Sequence, residues 1–245
     1  MTLRLKRIFR KFKSCLLVMR GYGKVSFSQF GEDILLTSIL DRFEVENITY
    51  LDIGANEPVR INNTYNLYLR GYCGVLVEPN LHLCNKLKNK RPRDKVLNFG
   101  IGINNEIEVD YYMFEGINGV YNTFSKETAI STEKEGIPIQ KIIKLPLKNI
   151  NEVISEHFTS SPTVLSLDVE GLDENILRTL NFDKHAPLLI CVETVNFSVS
   201  SALIKTTGLI DFLLSQGYFI YADTHINTIF CHNRLLGKLS GSKEQ

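Results

Sequence analysis

The 245-residue chain has no C-x-x-C pair, no G-x-G-x-x-G turn, no apolar run of bilayer length and almost no net charge. Each absence removes a class of function. The five cysteines, Cys15, Cys73, Cys84, Cys191 and Cys231, are scattered and odd in number, so neither a zinc framework nor a disulfide set is readable. Most read instead as small buried hydrophobes in a reducing compartment. Without about 20 consecutive apolar residues, no helix is expected to span a membrane. The apolar run at 15–19 is too short for a signal-peptide core, and no small-residue cleavage site follows it. The expected location is therefore cytoplasmic. No internal repeat or low-complexity tract is present. With 44% hydrophobic and 22% charged residues, the composition is that of an ordinary globular chain, long enough for one α/β domain with a large core.

Acidic residues are missing from one end. Before Glu32 there are eight Lys and Arg and no acid, so a net charge of +1 conceals a basic start and an acidic remainder. Residues 3–19 have the period of an amphipathic helix, with Leu5, Ile8, Phe9, Phe12 and Leu16 on one face. Arg4, Lys6, Arg7, Arg10, Lys11 and Lys13 fall on the other side. Such a helix suits an anionic membrane surface, which would place the protein peripherally at the inner membrane face. A terminal helix docked on its own domain is the alternative. Nucleic acid is not expected, because no second basic cluster or aromatic platform supports it. We divide the chain into a basic segment, 1–24, and a domain, 25–240.

The domain is organised around Tyr50-Leu51-Asp52-Ile53-Gly54-Ala55-Asn56-Glu57-Pro58, a buried strand that breaks into a tight turn. Gly54 and Ala55 are small enough for a ligand to approach the backbone. A second apolar run ends at Glu78, 24 residues after Gly54. A glycine turn after one strand and an acid ending the next is how a nucleoside is held, the acid accepting hydrogen bonds from ribose hydroxyls. The turn has one glycine, Glu57 sets a negative charge beside it, and Pro58 removes an N–H donor. That chemistry disfavours a pyrophosphate and suits a ligand with an ammonium group and no phosphate, such as S-adenosylmethionine. A strand and turn without any ligand is the bland alternative.

Along the chain, helices are expected at 34–42, 63–69, 81–90, 148–158, 173–180 and 201–216. Strands are expected at 48–53, 74–78, 96–100, 106–114, 141–147, 164–168 and 188–193, with a closing hairpin at 218–222 and 228–232. Residues 115–137 are polar and long for a connection, and read as a functional loop or lid. Glu32 and Asp33 fall in the first turn of the 34–42 helix, where the helix dipole favours acids.

The sequence resembles the FkbM family of S-adenosylmethionine-dependent methyltransferases. The matching pieces, in order, are Ser28-Gln29-Phe30-Gly31-Glu32-Asp33, Asp52-Ile53-Gly54-Ala55-Asn56, Val77-Glu78-Pro79-Asn80 and Arg91-Pro92. Asn122-Thr123-Phe124-Ser125, Leu167-Asp168-Val169-Glu170-Gly171 and the strand ending at Glu193 follow. The resemblance implies a class I methyltransferase (Rossmann-like) α/β fold. Its features are a mostly parallel seven-stranded sheet, helices on both faces and a C-terminal antiparallel hairpin. It implies S-adenosyl-L-methionine as cofactor. By motif position, Asp52, Gly54, Ala55 and Asn56 would contact its methionine part, Glu78 its ribose, and Phe99 and Gly100 would lie at its adenine. Family members typically methylate hydroxyl groups, often on sugars or polyketide-derived products, so a glycan or other hydroxylated small molecule is the expected acceptor.

A hydroxyl acceptor is weakly nucleophilic, so a base near its proton should help. Asp168 and Glu170 lie two residues apart at a strand's carboxyl end, and Glu193 ends a neighbouring strand. These three are the catalytic candidates. A helix cap for Asp168 and a turn acid for Glu170 are the structural alternatives. Three acids would also suit magnesium, but the resemblance requires no metal and none is assigned. His82 and His225 are possible bases too: His82 falls on the solvent side of its helix, and His225, which follows a strand, is the better candidate, with a surface histidine as the default reading. Two other functions remain open: a nucleotide-sugar or NAD-dependent oxidoreductase of similar topology, which the missing glycines disfavour, and a non-catalytic binding domain.

Overall fold

The structure, a computed structural model, describes residues 16–104, 107–114, 121–169, 171–196, 204–205 and 207–237. Helix α1 (Glu32–Arg42) precedes β1 (Thr49–Ile53), α2 (Tyr65–Leu69), β2 (Cys73–Val77), α3 (Leu81–Lys90) and β3 (Lys95–Leu97). Next come β4 (Gly100–Gly102), β5 (Glu108–Phe114), α4 (Lys126–Lys134) and β6 (Ile139–Asn149). The chain continues through α5 (Ile150–His157), β7 (Val164–Leu167), α6 (Asp173–Thr179), α7 (Phe182–His185) and β8 (Leu189–Glu193). It closes with the short strands β9 (Val195–Asn196) and β10 (Ile204–Lys205), α8 (Thr207–Ser215), β11 (Tyr218–Asp223) and β12 (Asn227–His232).

The main sheet runs β11-β12-β8-β7-β1-β2-β3. Its five strands from β8 to β3 are parallel; β12 adds antiparallel to β8, and β11 pairs antiparallel with β12. This is the mostly parallel seven-stranded sheet with a C-terminal hairpin that the resemblance implies. The chain leaves β1 toward β2 and β3, then returns to β7 on the other side of β1. Their ends lie level, with Ile53 opposite both Val77 and Leu167. A crevice opens at such a reversal, outside the carboxyl ends of the strands.

Alternation along the strands sends side chains to two cores. Leu51 and Ile53 of β1 face α5, α6 and α8, packing with Ile150, Val153, Ile176 and Leu213. Tyr50 faces the other way, toward Leu36 and Ile39 of α1, Tyr65 of α2 and Leu87 of α3. Cys84, Cys191 and Cys231 are buried, and Cys73 is exposed.

Three elements differ from expectation. The strand expected at 96–100 is broken, with Lys95–Leu97 in the main sheet and Gly100–Gly102 in a separate β4-β6-β5 sheet. The bend is held by Asn98, whose Nδ2 donates to the carbonyls of Glu78 at 2.9 Å and Pro79 at 2.8 Å. A side chain at Gly100 would meet the Phe124 ring at 2.4 Å, so the new sheet needs glycine there. Within 115–137, helix α4 replaces part of the expected loop. Ser125 caps it by accepting the Thr128 N–H at 3.1 Å, and Ala129 is fully buried; residues 115–120 lie outside the described residues. The helix expected at 201–216 is shorter, because Ile204–Lys205 pairs antiparallel with Val195–Asn196 before α8 begins.

Candidate active site

The turn after β1 is built from left-handed backbone. Gly54 has φ +80° and donates its N–H to the Val77 carbonyl at 3.0 Å. A Cβ at Gly54 would lie 1.9 Å from the Asp168 carbonyl oxygen. Its missing side chain therefore admits the end of β7 as well as leaving the turn open to the crevice. Ala55 is buried behind the turn. Asn56 has φ +50°, a conformation that asparagine tolerates better than most residues. Its N–H donates to Glu78 Oε2 at 2.8 Å. Among the described residues, its buried side-chain Oδ1 has no hydrogen-bond partner. The negative charge of Glu57 is met by Lys86 Nζ at 2.6 Å.

Asp52 does not join the cleft wall. Its carboxylate accepts the Thr64 hydroxyl at 2.6 Å on the same side of the sheet as Tyr50. Behind it lies Arg91, fully buried, which donates to Asp94 at 2.7 Å, Thr64 at 2.9 Å, and Asn62 and Tyr50 at 3.1 Å each. Burial raises the Asp52 pKa, and the Arg91 charge opposes that rise. Asp52 thus braces the strand end from inside.

Glu78 lies across the turn and is 4% exposed. Its Oε2 takes the Asn56 N–H, and its Oε1 takes the Asn80 N–H at 2.8 Å. Each oxygen keeps a second lone pair for a ligand donor. Desolvation pushes its pKa up to about 7, against the two backbone N–H bonds and with a smaller push from Asp52.

Asp168 follows β7 and opens onto the cleft. Its N–H donates to the Ile53 carbonyl at 3.1 Å, which ties it to the β1 turn. The residue is exposed at the cleft. Desolvation raises its pKa to about 6, helped by the charges of Asp52 and Glu32. Glu170 lies outside the described residues. Glu193, the last residue of β8, lines the same cleft opposite Asn227 in the strand register. Among the described residues, no group of three His, Cys, Asp or Glu side chains is placed to hold a metal.

The cleft bounded by these residues has a volume of about 460 Å³. Gly54, Asn56, Glu78, Phe99, Gly100, Asp168 and Glu193 all line it, whereas Asp52 and Ala55 do not. The family model for the methyltransferase FkbM domain matches residues 52–220. The chain belongs to the FkbM methyltransferase family. Among solved structures it is similar to an S-adenosylmethionine-dependent methyltransferase from Clostridium acetobutylicum, at 8% identity and TM-score 0.45, covering 92% of this chain and 99% of that one. It is also similar to a putative O-methyltransferase from Klebsiella pneumoniae, at 10% identity and TM-score 0.44, covering 87% and 85%. A third is an O-methyltransferase from Bacillus cereus in complex with SAH, at 9% identity and TM-score 0.40, covering 94% and 90%. No relative among curated proteins matches the chain. The family assignment rests on the domain match.

In this FkbM domain, three acids do more than local sequence indicates. Glu32, read as a helix-dipole partner, is fully buried. It accepts the Thr224 hydroxyl at 2.6 Å, the Asn227 amide at 3.1 Å and the Phe30 N–H at 2.9 Å. It joins α1 to the β11–β12 hairpin. Asp33 accepts the hydroxyls of Ser26 and Ser28 and the Phe27 N–H, folding the preceding segment back so that Gln29 reaches the cleft wall. Asp173 was legible only as the start of a helix. Its carboxylate takes the N–H groups of Val169 at 3.2 Å and Gly171 at 3.3 Å, shaping the loop that carries Asp168. Gly171, at φ +94°, supplies the turn. His82 is exposed on α3, and His225 is exposed in the hairpin turn; neither lines the cleft.

Proposed function

We propose that this protein transfers a methyl group from S-adenosylmethionine to a hydroxyl of a glycan or related hydroxylated acceptor. The observation that carries the reading is the Asn56–Glu78 pair beside an apolar cleft wall. Asn56 offers a buried acceptor oxygen with no partner among the described residues, which suits the ammonium of a methionyl group. Glu78 offers two oxygens already oriented by backbone N–H groups, which suits ribose hydroxyls. Phe99 and Ile101 supply apolar surface for a base. The volume falls in the usual range for small-molecule sites, roughly 300–1,000 Å³.

The cofactor, when bound, supplies a methyl group activated by its sulfonium. The chain's part is to hold and orient the acceptor and to accept a proton. Asp168 is the residue assigned that proton, with Glu193 beside it to hold the acceptor. Incubation with radiolabelled S-adenosylmethionine and extracted cell-envelope glycans should place label in the glycan fraction. Label found only in amine-bearing acceptors would contradict the O-methyl reading.

The basic N-terminal segment is proposed as a membrane-surface anchor that brings the cleft to a lipid-linked acceptor. Residues 1–15 lie outside the described residues. Immediately after them, Met19 and Tyr22 are 83% and 80% exposed, so apolar surface continues past the basic run. Among the described residues, no helix is long and apolar enough to cross a membrane. Each basic residue near an anionic surface contributes about 1 kcal/mol. The full-length protein should float with anionic vesicles, and a chain starting at Gly23 should not. Equal flotation of both, or of neither, would leave a docked helix as the role of the segment.

A further inference from the structure

We propose that Arg60 is the carboxylate-binding residue of the cleft, pairing with the α-carboxylate at the methionyl end of the cofactor; this rests on the cofactor reading above. Four acids line the cleft, Glu57, Glu78, Asp168 and Glu193, and Arg60 is the one basic residue described among the lining. Lys86 neutralises Glu57, and the remaining acids repel any carboxylate that enters. A ligand with an amino-acid end therefore needs a cation placed at that end. Arg60 is exposed, and among the described residues its guanidinium has no hydrogen-bond or ion-pair partner. Arginine's planar fork matches a carboxylate with two parallel hydrogen bonds.

The loop presents Arg60 by construction. Asn62 ties its far end down, donating Nδ2 to the carbonyls of Ala55 at 3.0 Å and Glu57 at 3.2 Å, and its N–H to the Phe27 carbonyl at 3.0 Å. Between these anchors Ile61 has φ +51°, a conformation that a β-branched residue adopts only under constraint. A loop that merely turned would carry glycine or asparagine there. The strained residue lies directly after Arg60, and both side chains line the cleft. Asn56, four residues earlier in the same loop, holds the buried acceptor oxygen without a partner. One loop thus carries an acceptor for an ammonium and a cation for a carboxylate, the two halves of an amino-acid zwitterion.

The test is calorimetric titration of the full-length wild type, Arg60→Met and Arg60→Lys with two probes. One is S-adenosylhomocysteine. The other is 5′-methylthioadenosine, which has the nucleoside and thioether but no amino-acid end. Arg60→Met should weaken S-adenosylhomocysteine roughly tenfold or more, the order expected for a charge-assisted hydrogen bond, and leave methylthioadenosine within about twofold. Arg60→Lys should recover part of the loss. Unchanged S-adenosylhomocysteine affinity in Arg60→Met overturns this proposal alone and points Arg60 toward the acceptor. Equal weakening of both probes also overturns it, because the loss is then one of cleft shape. Failure of the wild type to bind S-adenosylhomocysteine overturns the cofactor reading and this proposal together.

Discussion

Asp168→Asn should lower turnover by roughly 10²–10⁴-fold, the usual contribution of a positioned base, while S-adenosylhomocysteine affinity stays near wild type. The change removes the proton acceptor and keeps its shape. The Asp168 N–H bond to the Ile53 carbonyl is made by the backbone and survives the change. The neighbouring loop geometry is set by Asp173, which also remains. The pH dependence supplies a second readout. Asp168 acts as a base only when ionised, and its pKa is raised to about 6 by desolvation and nearby acids. The wild-type rate should therefore climb as pH rises through that value, and the variant should lose this limb. Near-normal turnover in the variant would move the base to Glu193 or Glu170.

Arg91→Met should destabilise the protein by about 3–5 kcal/mol, the cost of breaking a buried ion pair by removing one partner. The Asp94 carboxylate would lose its charge partner while still accepting the Tyr50 hydroxyl and the Gly74 N–H, with no route to solvent. Asp52 would lose the cation that opposes its desolvation. Three tyrosine rings, Tyr50, Tyr65 and Tyr68, also lose the guanidinium that lies within about 6 Å of their centroids. Urea denaturation measures this directly. A loss below about 1 kcal/mol would show that the network is not a keystone of the β1 end.

Most of the sheet was legible because strands and their turns announce themselves locally. The run ending at Ile53, the turn at Gly54 and the acid at Glu78 follow from spacing and residue type, and the structure places Gly54 and Glu78 along one cleft. Asp52 was not legible in the same way. Alternation puts Asp52 on the face of Tyr50, but the buried arginine whose charge it meets there lies 39 positions away, which no local pattern reveals. Glu32 is similar, since its partners Thr224 and Asn227 are nearly 200 residues distant. The split of the third strand follows from the ties of Asn98 to the Glu78 and Pro79 carbonyls and from the Phe124 ring against Gly100, contacts with segments about 20 residues away. Helix α4 was hidden by weak amphipathicity, and its identity comes from the Ser125 cap and burial against β5 and β6. Arg60 carries no local signal, because an arginine in a turn is ordinary; its meaning comes from the acids around it.

The central claim is that the cleft takes an adenosyl sulfonium cofactor and not a dinucleotide. Calorimetric titration of the full-length protein with S-adenosylhomocysteine and, in parallel, with NADH tests it most directly. S-adenosylhomocysteine should bind and NADH should not. Glu78→Ala should weaken the bound ligand by about 1.5–3 kcal/mol through loss of charge-assisted hydrogen bonds to ribose. Binding of NADH in place of S-adenosylhomocysteine, or of neither, would contradict the claim.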